Sequence, residues 1–185
     1  NFGFGDFIFR RADGSIVAWG CGDPSNCTGR NAAAPVSGLG TVADDEPDYC
    51  FDYGQCDVPL PNTGFVEVAA GAWHSLGLRA DGSIVAWGCD APENYGQCNV
   101  PAPNAGFIAV AAGDGYSLGL RADGSIAAWG ANSYGQTNVP LPNADFIGIA
   151  GGGIQSLGLK ADGSIVVWGC AGPYYNFGQC VVPAN

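Results

Sequence analysis

Apolar and polar positions follow one order that returns four times along the chain. Its fullest passage, "GFVEVAAGAWHSLGLRADGSIVAWGCDAPENYGQCNVPAPN", runs from Gly64 to Asn104. The alternation predicts four short strands: around Phe65 to Ala70, His74 to Arg79, Ser83 to Trp87, and around Gln97 to Val100. In the second, Leu76 and Leu78 share a face, while Ser75 and Gly77 share the other and leave room for a neighbouring sheet. The third is apolar on both sides, with Ile84 and Ala86 on one and Val85 and Trp87 on the other, the mark of a strand sandwiched between layers. Asp81-Gly82 separates these two strands and predicts a tight hairpin with φ > 0 at both turn residues.

Asp-Gly recurs at Asp13, Asp123 and Asp162. Trp87, Trp129 and Trp168 recur at intervals of about forty residues, the period of one propeller blade. The interval from Trp19 to Trp87 is longer by about thirty residues, one inserted loop. Gly (31) and Pro (12) are more than a fifth of the chain, and at this period they read as turn punctuation among many short strands. The expected fold is all-β, a propeller-like array of about four four-stranded blades, the first incomplete. It forms a single domain over 1–185, with repeats at about 1–62, 63–104, 105–143 and 144–185 and a loop insertion over about 22–52.

"VAAGAWHSLGLRADGSIVAWG", its relatives and "ANSYGQTNVP" resemble the repeats of the regulator-of-chromosome-condensation family. The "VAWG…YGQ…VP" cadence is most similar to secreted bacterial members, among them a propeller-type inhibitor of beta-lactamase. The resemblance covers nearly the whole chain outside about 22–52. It implies a β-propeller, and family members usually close a ring of seven blades. The secreted branch implies capture or inhibition of another protein. The nuclear branch implies nucleotide exchange on a small GTPase, which an acidic, disulfide-bonded chain argues against.

The eight cysteines sort by repeat. Cys89 and Cys98 flank the loop after the third strand, Cys170 and Cys180 fill the same slots in the last repeat, and Cys21 and Cys56 fill them in the first. In the third repeat both slots change together, to Ala131 and Thr137. Paired gain and loss points to three bonded pairs, with Cys27 and Cys50 nested as a fourth inside the first. Spacings of nine or ten without CxxC, beside a lone His, fit zinc poorly. Four disulfides imply an extracellular or cell-surface location. The start at Asn1 rather than Met is expected of a processed product or a partial sequence.

A formal charge of −11 with six Lys and Arg excludes a nucleic-acid partner, which needs clustered cations. No apolar run reaches the length of a membrane span. His74 is the one His, and its slot holds Tyr116 and Gln155 in later repeats, so a structural or surface use is favoured, and no other His exists for a Ser-His or Cys-His pair. The turn aspartates need no catalytic role. "DDEPD" (Asp44 to Asp48) lacks calcium-loop spacing, and "AGGG" from Ala150 leads into a strand without a following Lys. Asn26 in "NCT" matches a glycosylation sequon. No enzyme activity, metal or cofactor is expected.

Partners are expected at two places. The Asp-Gly hairpins and "VPxPN" links share one nearly invariant face, and the variable loops share the other. Trp73, His74, Tyr116, Gln155, Tyr174 and Tyr175 are the candidate binding residues there, for another extracellular protein. The first repeat starts at its second strand, behind a segment carrying Phe2, Phe4, Phe7 and Phe9. An incomplete blade exposes edges and apolar surface, so a head-to-tail homo-oligomer or filament is the leading expectation.

Overall fold

A computed structural model describes residues 7–19, 54–89, 94–171 and 178–182. Phe2, Phe4, Cys21, Asn26, Cys27, Cys50, Tyr174, Tyr175 and the 22–52 insertion lie outside these residues.

The described residues form eleven strands in four antiparallel sheets. β1 (Phe7–Arg10) pairs with β2 (Ile16–Trp19). β3 (Phe65–Ala70), β4 (Ser75–Arg79) and β5 (Ile84–Trp87) form the second sheet. The third contains β6 (Phe107–Ala112), β7 (Tyr116–Arg121) and β8 (Ile126–Gly130). β9 (Phe146–Gly151), β10 (Ser156–Lys160) and β11 (Ile165–Trp168) form the fourth. Each full sheet leads with a Phe-headed inner strand that packs on the sheet before it: β3 on β1, β6 on β3 and β4, β9 on β6 and β7.

The core lies between sheets. Phe65 packs with Ile16 and Trp87. Phe107 and Val110 pack with Leu76, Leu78 and Ile84, and Phe146 packs with Leu118, Leu120 and Ile126. Gly77 is required here, because a Cβ on it would stand 2.5 Å from the Phe65 ring. The small residue thus accommodates a ring of its own inner strand rather than a neighbouring sheet. Arg79, Arg121 and Lys160 lie over the Phe65, Phe107 and Phe146 rings at 5.3, 4.6 and 4.9 Å, cation–π contacts worth about 0.5–1 kcal/mol each at such partly exposed sites.

Two local structures differ from the sequence expectation. The hairpin turn spans three residues, not two. Gly82 N–H donates to Arg79 O (2.9 Å), Arg79 N–H donates to Ser83 O (2.9 Å), and Gly82 takes φ 79° while Asp81 keeps negative φ. This is a type I turn closed by a left-handed glycine. It frees Asp81 Oδ1 to accept from both Ser83 N–H (2.9 Å) and Ser83 Oγ–H (2.6 Å). The stretch expected as a fourth strand, Gln97 to Val100, joins no ladder. Asn99 N–H closes a turn on Gly96 O (2.9 Å), and the Gln97 carbonyl is committed to the following sheet.

The disulfides tie these turns down. Cys89 bonds Cys98 and Cys170 bonds Cys180, each with Cα atoms 6.2 Å apart. Cys56 is also disulfide-bonded.

Candidate interaction surfaces

On the variable-loop side, each of the three full sheets is latched to the turn of the repeat before it. Trp87 Nε1–H and Ser75 Oγ–H both donate to Gln55 O, at 2.8 and 3.1 Å. Trp129 and Ser117 do the same to Gln97 O, both at 2.8 Å, and Trp168 and Ser156 to Gln136 O, at 2.9 and 2.8 Å. Gln55, Gln97 and Gln136 are buried. Gly88, at φ 85°, lets the Gln55 backbone approach, since a Cβ there would lie 2.5 Å from Gln55 Cα.

A second layer of bonds joins the same sheets. His74 Nε2 lies 2.8 Å from Ser117 Oγ. The Ser117 proton is already given to Gln97 O, so His74 Nε2–H donates to Ser117. His74 Nδ1 is buried without a partner. Burial pushes the imidazole pKa down from 6.5 to about 4, so the ring is neutral at pH 7. In the next repeat Tyr116 O–H reaches Gly152 O (3.2 Å) and Gln155 O. Burial raises the Tyr116 pKa.

These contacts correct the expected binding face. His74 and Tyr116 are fully buried struts between sheets and present nothing to a partner. Their slot varies because several side chains can bridge to the next repeat, not because it is surface. Gln155 and Trp73 are half-buried on the loop side.

The invariant side is equally occupied. The carboxylates of Asp13, Asp81, Asp123 and Asp162 are held below the usual range by hydrogen bonds from Ser15, Ser83, Ser125 and Ser164. The Asn ending each "VPxPN" link clamps a backbone. Asn104 Oδ1 accepts from Ile84 N–H (2.7 Å) and Asn104 Nδ2–H donates to Ile84 O (2.8 Å). Asn62 and Asn143 hold Ile16 and Ile126 the same way. Sequence reasoning missed these clamps and the Gln latches, although both residues recur in register.

The fourth sheet carries the surface that stands out. Leu159 and Ile165 correspond to Leu78 and Ile84, and to Leu120 and Ile126, by the same cross-strand register. Leu78 and Ile84 are each 2% exposed, under the Phe107 strand. Leu159 is 40% exposed and Ile165 47%. Among the described residues no group of His, Cys, Asp and Glu could hold a metal ion, and no helix is long and apolar enough to cross a membrane.

Residues 65–97 and 107–136 match the family model of the Regulator of chromosome condensation (RCC1) repeat. Comparison with curated proteins finds no match. Among solved structures, the chain is similar to Prp20p from Saccharomyces cerevisiae, with TM-score 0.60 and 20% identity over 88% of this chain and 42% of that one. It is similar to the CRINKLY WD40 ectodomain of the Arabidopsis thaliana receptor kinase ACR4, with TM-score 0.56 and 20% identity over 90% of this chain and 48% of that one. Human WBSCR16 aligns with TM-score 0.50 and 23% identity over 64% of this chain and 40% of that one. The chain spans less than half the length of each. At these identities the likeness shows the fold, a β-propeller architecture.

Proposed function

We propose that this chain, which carries repeats of the regulator-of-chromosome-condensation family, is an extracellular, non-enzymatic interaction protein that self-associates through open blade faces. The observation that carries the reading is the exposure of Leu159 and Ile165, whose counterparts in the two preceding sheets are buried by the next inner strand. Covering both side chains again is worth about 2 kcal/mol at ordinary transfer values, before their neighbours are counted. An apolar sheet face of this kind marks a contact surface. The disulfides Cys89–Cys98 and Cys170–Cys180 fit an oxidising compartment, and the fold is shared with a receptor ectodomain. The non-enzymatic reading rests on the state of the polar groups. The lone imidazole is buried and bonded to Ser117, and the turn carboxylates are bonded to serines.

Sedimentation velocity from micromolar to near-millimolar concentration tests the reading. The expected outcome is a concentration-dependent rise in mass, and a species that stays monomeric throughout refutes it. A second reading, capture of another extracellular protein on the variable loops, keeps Trp73 as its anchor but loses His74 and Tyr116 as contact residues.

A further inference from the structure

We propose that the Asp-Gly turns are latent sites of main-chain modification, aspartyl to isoaspartyl, and that the Ser two residues after each Asp is a positioning residue that keeps them closed.

An aspartyl-glycyl link carries its own reactants. The glycine nitrogen can attack Cγ of the preceding side chain, because glycine has no Cβ to crowd the approach and turns freely into the geometry required. A C–N bond forms, and the carboxyl hydroxyl leaves with the nitrogen's proton as water. The product is a five-membered succinimide. Water then reopens it. Attack at the original main-chain carbonyl leaves the chain running through Cγ, and attack at the other carbonyl restores aspartate. One water is lost and one gained, so the mass is unchanged.

Ring closure needs a glycine nitrogen free to rotate and lose its proton, and a protonated carboxyl. Both are opposed in every described copy. Gly14, Gly82, Gly124 and Gly163 N–H donate to the carbonyls of Arg11, Arg79, Arg121 and Lys160, at 3.0, 2.9, 3.0 and 2.9 Å. Oδ1 of Asp13, Asp81, Asp123 and Asp162 accepts from the N–H of Ser15, Ser83, Ser125 and Ser164, at 2.9 Å in each. The same oxygen accepts from the serine Oγ–H, at 2.7, 2.6, 2.6 and 2.6 Å. Two donors on one oxygen favour the ionised carboxylate, a poor electrophile, and tie it to the residue beyond the glycine. All four aspartates are exposed, so bonding rather than burial restrains them.

A lapse would be felt at the junctions between sheets. The carbonyls of Gly14, Gly82 and Gly124 accept from Phe65, Phe107 and Phe146 N–H, at 3.1, 3.1 and 3.0 Å. These bonds anchor the start of each inner strand. An isoaspartyl link adds one carbon to the main chain just before that carbonyl and displaces it.

The test is prolonged storage of the oxidised full chain at neutral pH, followed by peptide mapping. Trypsin cleaves after Arg11, Arg79, Arg121 and Lys160, which puts each turn on its own peptide. A synthetic peptide of residues 79–85 is the unfolded reference. The folded chain should form isoaspartate at Asp81 at least about tenfold more slowly than this peptide, and this comparison needs no variant. Ser83→Ala removes the hydroxyl and keeps the N–H donor. It should speed isomerisation at Asp81 about fivefold, the factor expected for one hydrogen bond of ordinary net strength. Asp123 in the same molecule should keep its wild-type rate, and Ser83→Thr, which restores a hydroxyl, should return Asp81 to its own. A folded chain that isomerises at the peptide's rate overturns the proposal. So does a Ser83→Ala rate that is unchanged, or lower because the hydroxyl assists ring closure. Equal acceleration at Asp81 and Asp123 would mean a general loosening of the fold and would overturn the role given to Ser83.

Discussion

Acid should loosen the junction between the second and third sheets through His74. In the fold the imidazole is buried, donates Nε2–H to Ser117 and leaves Nδ1 without a partner. A second proton would have to sit on Nδ1, desolvated and unbonded, which is why the pKa falls from 6.5 to about 4. The unfolded chain takes that proton near 6.5. Stability is therefore complete above pH 6.5, declines as pH falls, and levels off below about 4. The gap corresponds to about 3 kcal/mol at most. Carboxylates overlap this window with mixed signs. Burial raises the pKa of Glu67 and Asp114, so they gain stability on acidification. The serine-bonded turn aspartates, with lowered pKa values, lose it lower down. The comparison that isolates His74 is His74→Gln, the residue found in the same slot at position 155. Urea unfolding followed by Trp fluorescence, at steps from neutral pH to pH about 4, gives both stability curves. The wild-type curve should fall relative to the variant by about 3 kcal/mol across the window. Parallel curves would refute the argument that the buried imidazole stays neutral.

Asn104→Ala removes both bonds to the Ile84 backbone and strands two polar groups in a part-buried position, so the urea midpoint should drop by the equivalent of about 1–3 kcal/mol. Replacing Cys89 by Ala and Cys98 by Thr, the pair that the third repeat uses, should cost about 2–3 kcal/mol in the same assay, as expected for releasing a loop this short. A double variant as stable as wild type would mean that the hydrogen bonds of the turn hold it without the disulfide.

The parts of the fold legible in sequence were those fixed by local pattern. The inner strand from Phe65 to Ala70 and the inward Trp87 follow from alternation. The pairing of Cys89 with Cys98 agrees with the paired gain and loss between repeats. What alternation could not show was which groups meet across a junction. His74, Tyr116 and Gln155 look like a drifting surface slot because they share no chemistry. The first two turn out to span to the next sheet by different bonds, one to a hydroxyl and one to carbonyls. The Asp-Gly turn was placed correctly but given the wrong conformation, because Asp81 gains two bonds from Ser83 by keeping negative φ. Phe9 stands out in sequence only as an apolar residue, and its place in the sheet depends on register. Its pairing with Val17 gives it the register that Gly77 and Gly119 have opposite Val85 and Ala127.

The latch between sheets has an asymmetric vulnerability to mutation. Its acceptor is always a main-chain carbonyl, at Gln55, Gln97 or Gln136, and no side-chain substitution can delete a carbonyl. Only the donors, a Trp and a Ser, can be lost. On the accepting side the constraint falls on the path of the turn, which Gln97 and Gln136 hold by accepting from Tyr95 and Tyr134 N–H through Oε1. A copy that keeps its Trp and Ser can therefore latch onto whatever residue stands at the acceptor position, provided the turn follows the same path.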